Sequence, residues 1–65
     1  MTRQVIARWK SLRGGYYVEA YRNDDGTFSF KANGSGGHGY LTAEDAIRRA
    51  ELESSFMPSA MKRKI

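Results

Sequence analysis

Cysteine is absent from the chain, and proline and histidine each occur once, at Pro58 and His38. Without thiols there is neither a disulfide staple nor a thiolate metal site. His38 lies in the run Asn33-Gly34-Ser35-Gly36-Gly37-His38-Gly39, far in sequence from any cluster of carboxylates. A transition-metal site built on this imidazole would lack partners, so neither metal nor cofactor is expected. Long apolar runs are missing too, and nothing approaches the length of a bilayer-spanning helix. Met1 to Lys10 carries no apolar signal region. The expectation is a cytoplasmic protein with no membrane partner.

What is present is a short, basic chain. Its 65 residues allow one domain with a small core. A pocket that excludes water needs more chain than this, so a binding module is expected rather than an enzyme. Asp24 and Asp25, flanked by Asn23 and Gly26, are explained by turn formation rather than by paired-carboxylate catalysis. The glycine run before the helix lacks the Lys and Ser/Thr pair of a phosphate loop, and no GxGxxG follows a strand.

Eleven Lys and Arg against seven Asp and Glu give a formal net charge of +4. That excess suits a polyanionic partner, although a small domain also carries such a charge for solubility alone. Its distribution is uneven. Arg3, Arg8, Lys10, Arg13 and Arg22 face only Glu19 up to residue 22, and Lys62, Arg63 and Lys64 lie near the end.

The order of elements follows from periodicity. Val5, Ala7 and Trp9 alternate with Ile6, Arg8 and Lys10, the period of a half-buried strand. Arg13, Gly14 and Gly15 form a turn, and Tyr16 to Arg22 makes a second strand rich in aromatic and β-branched residues. Asp24 to Gly26 has the residue types of a three-residue hairpin loop, a type I turn ending in a left-handed glycine. That loop length sets Ala20 opposite Phe30, Val18 opposite Ala32 and Glu19 opposite Lys31. Phe28, Phe30 and Ala32 then join Tyr16, Val18 and Ala20 on the core face, with a Glu19–Lys31 ion pair outside. One residue of slip would invert the sheet.

The run from Asn33 to Gly39 reads as a flexible loop. A helix then starts at the N-cap Thr42, with Glu44 and Asp45 in its first turn and Glu44–Arg48 and Asp45–Arg49 pairs four apart. Its inward stripe is Ala43, Ala46, Ile47 and Ala50. Leu52 and Phe56 fall opposite that stripe. Either the helix ends near Glu53 and the chain folds back, or these two side chains form a contact surface. The expected architecture is α+β, a three-stranded antiparallel sheet packed against one C-terminal helix (βββα), with a single domain over 1–58 and a flexible basic tail over 59–65.

The register gathers Arg8, Lys10, Tyr17, Tyr21 and Lys31 on the outward face, with Ser29 and Asn33 among them and Arg13 in the adjoining turn. Cations to meet phosphates, tyrosines to stack and short polar groups for base edges are what a nucleic-acid surface needs. An ordinary solvated sheet face would also hold such tyrosines, which favour strands.

Gly15, Tyr16 and Tyr17, then Tyr21 and Arg22 before the Asn23 to Gly26 turn, a third strand, and a helix opening Leu41-Thr42-Ala43-Glu44-Asp45-Ala46-Ile47 together resemble a known family. It is the N-terminal arm-site DNA-binding domains of phage tyrosine-recombinase integrases, which are similar in shape to the plant AP2 domain. The resemblance covers about residues 5 to 56 and implies a sheet that docks in the major groove through Arg8, Lys10, Tyr17, Tyr21 and Lys31. This chain departs from the family in its longer glycine segment and in having no catalytic domain after it, so recombination is not implied.

The resulting expectation is a small non-enzymatic DNA-binding protein, phage or mobile-element encoded, with RNA left open as the target. A second reading is a phage-encoded inhibitor that docks on a host protein or nucleoprotein complex through Leu52 and Phe56. A second copy of the chain is a further candidate partner.

Overall fold

The computed structural model describes residues 3–65. Five strands and one helix follow along the chain: β1 (Gln4–Ser11), β2 (Tyr17–Arg22), β3 (Phe28–Ala32), β4 (Ser35–Tyr40), α1 (Ala43–Ser55) and β5 (Met61–Arg63). They form one antiparallel sheet of order β4-β3-β2-β1-β5, with α1 laid across one face. The α+β class, the central β1–β2–β3 meander and the helix agree with the sequence. The strand count does not.

The β2–β3 hairpin has the expected register, with Ala20 opposite Phe30, Val18 opposite Ala32 and Glu19 opposite Lys31. Its loop closes as the residue types require. The Asn23 amide donates to the Thr27 carbonyl at 2.8 Å, and Gly26 takes the left-handed conformation at φ +87. Asp25 Oδ1 accepts from the Thr27 amide at 3.0 Å and from its hydroxyl at 2.6 Å. Those two hydrogen bonds hold the Asp25 carboxyl below the usual carboxylate range.

Two segments expected to be irregular are strands. Asn33 and Gly34 form a two-residue turn, with φ 34 and φ 100, the backbone of a type I′ hairpin. The glycine run beyond it returns as β4, pairing Ala32 with Ser35, Lys31 with Gly36 and Phe30 with Gly37. Glycine is required there by close approach rather than by flexibility. A Cβ on Gly36 would lie 2.6 Å from the Phe30 carbonyl oxygen, and one on Gly37 would lie 2.7 Å from the Phe30 ring.

At the other edge, part of the expected basic tail is β5. Met61 to Arg63 pairs with Ser11 to Trp9, extended by bonds from the Leu12 amide to the Ala60 carbonyl at 3.0 Å and from the Lys64 amide to the Arg8 carbonyl at 2.7 Å. Pro58 lies in the bend that turns the chain back after α1. The alternation of Met61 and Arg63 with Lys62 puts Met61 against the core and Arg63 over the Trp9 ring at 5.2 Å.

A bulge corrects the reading of β1. Val5 pairs with Tyr21 and Ala7 with Ala20, so Ile6 has no opposite residue. Val5 therefore stands on the outer face, and Ile6 packs against the core beside Ala7.

The core is small and alanine-rich: Ala7, Trp9, Val18, Ala20, Phe30 and Ala32 from the sheet meet Ala46 and Ala50 from the helix. Alanine on both layers brings the helix axis close to the sheet, and Trp9 and Phe30 fill the flanks. Each such large side chain, buried, contributes about 1.5–3 kcal/mol. The helix starts where the sequence places it, with the Thr42 hydroxyl accepting from the Asp45 amide at 3.2 Å. It runs to Ser55 and is capped by Phe56, two residues past the expected stop near Glu53.

Candidate nucleic-acid interface

Among the described residues, no element covers the sheet face away from α1. Alternation along β1, β2 and β3 brings Arg8, Lys10, Tyr17, Tyr21 and Lys31 onto it, as the sequence predicts. Strand β5 adds two cations that sequence reasoning left in a loose tail. Lys62 stands directly opposite Lys10, and the backbone bond from Lys64 to Arg8 continues the ladder, so alternation sets Lys64 beside Arg8. The Met-Lys-Arg-Lys period of two was the available signal. Arg3 adds a further cation, its guanidinium 4.7 Å from the centre of the Tyr21 ring.

The face therefore has three rows across the strands. Lys62, Lys10 and Tyr17 form the first, and Lys64, Arg8, Glu19 and Lys31 the second. Tyr21, with Arg3 upon it, stands in the third. Between the first two rows, Arg8, Lys10, Ser11, Tyr17 and Glu19 line a shallow concavity. Arg13 does not join the rows; it lies exposed in the turn between β1 and β2.

Glu19 is the face's acid, and the expected pair with Lys31 is replaced. The Arg8 Nε donates to Glu19 Oε2 at 2.7 Å, with the two side chains 35% and 23% exposed. Glu19 stands between Arg8 and Lys31 in the register, and arginine, whose planar fork matches a carboxylate, takes it. Among the described residues, no ion pair engages Lys10, Lys31, Lys62 or Lys64.

Two short polar groups expected to reach base edges are occupied. Ser29 is only 2% exposed, and its hydroxyl accepts from Asn23 Nδ2 at 2.7 Å. Asn33 Oδ1 accepts from the Tyr17 amide at 3.3 Å.

Four of the seven acids lie on the opposite layer. Helix α1 carries Glu44, Asp45, Glu51 and Glu53 against Arg48 and Arg49. The Glu44–Arg48 pair forms at 2.9 Å as expected. Arg49 departs from the expected Asp45 pairing. It meets Glu53 at 3.3 Å and sits 5.7 Å from the Phe30 ring centre, a contact that draws it toward the sheet.

Leu52 and Phe56, the candidate protein contacts, are 45% and 73% exposed. Leu52 lines a shallow groove on the helix flank with Tyr40 and Ile47, rimmed by Arg48 and Glu51. The helix does not end near Glu53 but runs on to Ser55; the chain folds back after it, and both side chains stay exposed. His38 is exposed on β4. Among the described residues, no group of three or more His, Asp and Glu could hold a metal ion, and no helix is long and apolar enough to cross a membrane. Comparison of the chain with protein-family models, with curated proteins and with solved structures finds no match in any of the three.

Proposed function

We propose that the protein is a non-enzymatic nucleic-acid-binding module that lays its open sheet face on the phosphates of double-stranded DNA. One observation carries the reading: Arg3, Arg8, Lys10, Lys31, Lys62 and Lys64 share that face with a single acid, Glu19, while the other acids of the folded layers sit on the helix side or in the β2–β3 turn. Such one-sided charge steers a polyanion toward one surface and away from the other. Tyr17 and Tyr21 add hydrogen-bonding and stacking surface between the cations.

The breadth of the sheet limits how it docks. Its five strands span about 19 Å at ordinary strand spacing, whereas the major groove is about 12 Å wide and admits a two-stranded ribbon. The whole face therefore bridges phosphates rather than entering the groove, with the β5–β1–β2 side making the closest approach. The resemblance to arm-site domains supports the β1–β2–β3 part of this reading, and the added strands separate the docking geometry from theirs.

The test is a titration with random duplex DNA at several salt concentrations, with a single strand and an acidic polymer beside it. A steep salt slope and preference for duplex over the acidic polymer support the reading. Absence of binding at low salt overturns it.

A second reading rests on the exposure of Leu52, which lines the groove with Tyr40 and Ile47, and of Phe56 at the end of the helix. In it the helix flank captures a host protein or nucleoprotein complex, and changing both residues to Ser abolishes capture without unfolding the domain.

A further inference from the structure

We propose that Lys10 and Lys62 form a phosphate-binding clamp across β1 and β5, so that a bound phosphate group holds the C-terminal strand on the sheet. The inference rests on the nucleic-acid reading of the face for its ligand, and on the register alone for its geometry. Lys10 and Lys62 are direct cross-strand partners, both exposed. Backbone bonds two residues to either side, Leu12 to Ala60 and Lys64 to Arg8, place the pair at a hydrogen-bonded position of the ladder. Side chains opposite each other there start about 5 Å apart at Cβ and point to the same face. Two ammonium groups on stems of this length reach one phosphate from both sides.

Without an anion, the same arrangement works against β5. Like charges directly opposite across a ladder are destabilising, and none of the described ion pairs neutralises either lysine. Strand β5 has only three residues, from Met61 to Arg63. Its hold on the inner side consists of Met61 against the core and the Arg63 guanidinium over Trp9. An anion between Lys10 and Lys62 converts the outer side from repulsive to attractive. By linkage, whatever closes β5 strengthens anion binding by the same factor.

The shared chemistry is a phosphate group, which a DNA backbone or free inorganic phosphate could supply. The experiment follows amide exchange at Lys64, whose amide bonds the Arg8 carbonyl, together with Trp9 emission in the full chain; the chain has one tryptophan. The arms are buffer alone, inorganic phosphate, sodium chloride of matched ionic strength, and a short duplex. The expected result is Lys64 exchange slowed several-fold by duplex and by phosphate, and less by the matched salt. Lys62→Gln should slow exchange in plain buffer and remove the response to phosphate. Exchange that is unchanged while the duplex binds overturns the clamp and leaves the nucleic-acid reading standing. A duplex that does not bind, with phosphate still slowing exchange, overturns that reading and keeps the clamp as a free-phosphate site. Equal effects of phosphate and matched salt reduce the observation to screening and overturn the clamp.

Discussion

Arg8 donates its Nε–H to the Glu19 carboxylate at 2.7 Å across β1 and β2, which leaves Lys31, the other neighbour of Glu19 in the register, without that partner. The pairing divides the face into a neutralised centre and cations on both sides. Glu19→Gln releases Arg8 and removes the face's acid. The expected outcome is tighter duplex binding, with the slope of log affinity against log salt steeper by about 0.9, the value for one more phosphate. Melting temperature should change little, because a single ion pair still open to solvent contributes about 0.2–1 kcal/mol. Weaker binding by the variant would mean that Glu19 holds Arg8 in its binding geometry.

Lys31→Ala tests the opposite flank. Lys31 is exposed, and no described ion pair engages it. Its loss should lower the salt slope by about 0.9 and weaken binding to all sequences alike. Arg13→Ala, in the turn beyond the rows, should change the slope less than Lys31→Ala. A larger effect at Arg13 would move the interface from the face to the β1–β2 turn.

Gly36→Ala examines why β4 is built from glycine. The added Cβ would stand 2.6 Å from the Phe30 carbonyl oxygen, an atom of the neighbouring backbone that cannot swing away. Such overpacking costs about 1–3 kcal/mol, which a thermal or urea melt would resolve. A neutral result would mean that the edge strand is loose enough to move aside.

The contrast among the strands explains how much of the fold was readable. The β2–β3 hairpin and the helix start are written in short-range chemistry, Asn23 to Gly26 and Thr42 to Asp45, and residues of those types settle their own backbone. Strand β4 has no such record. Glycine has little strand propensity, and its need for close contact with Phe30 appears only once β3 is in place, although the Asn33-Gly34 turn signal was there. Strand β5 has only three residues, so its Met-Lys-Arg-Lys period of two is faint against the basic run, and its pairing depends on the open edge of β1. The site was legible as far as Arg8, Lys10, Tyr17, Tyr21 and Lys31, which lie on periodic strands. Lys62 and Lys64 were hidden with β5, and the burial of Ser29 was hidden by the reach of Asn23 from the next turn.

Asp25 gives the β2–β3 turn a pH dependence whose sign follows from its hydrogen bonds. The Thr27 hydroxyl, and then the Thr27 amide, lower its pKa in the folded protein below the ordinary carboxylate value. A group depressed in this way stabilises the fold fully above its unfolded pKa, and that contribution fades as pH falls through the folded value. The expected outcome is faster amide exchange at Thr27, relative to strand-centre amides, as the solution is acidified through that range. Asp25→Asn should flatten the acid response.

Leu52 and Phe56 separate the two functional readings because they lie on the helix layer, away from the cationic face. Their 45% and 73% exposure means that the fold gains little from them. A Leu52→Ser, Phe56→Ser double variant should keep its unfolding free energy to within about 0.5 kcal/mol per site, as expected of surface substitutions. If DNA is the partner, duplex affinity and salt slope should remain those of the parent protein, since neither residue touches the rows built on β5, β1, β2 and β3. If a host protein is the partner, the same variant should lose capture while Lys31→Ala retains it. The crossed result, in which duplex binding falls with the helix variant and survives loss of Lys31, would place the nucleic-acid surface on the helix flank and overturn the assignment of the open sheet face.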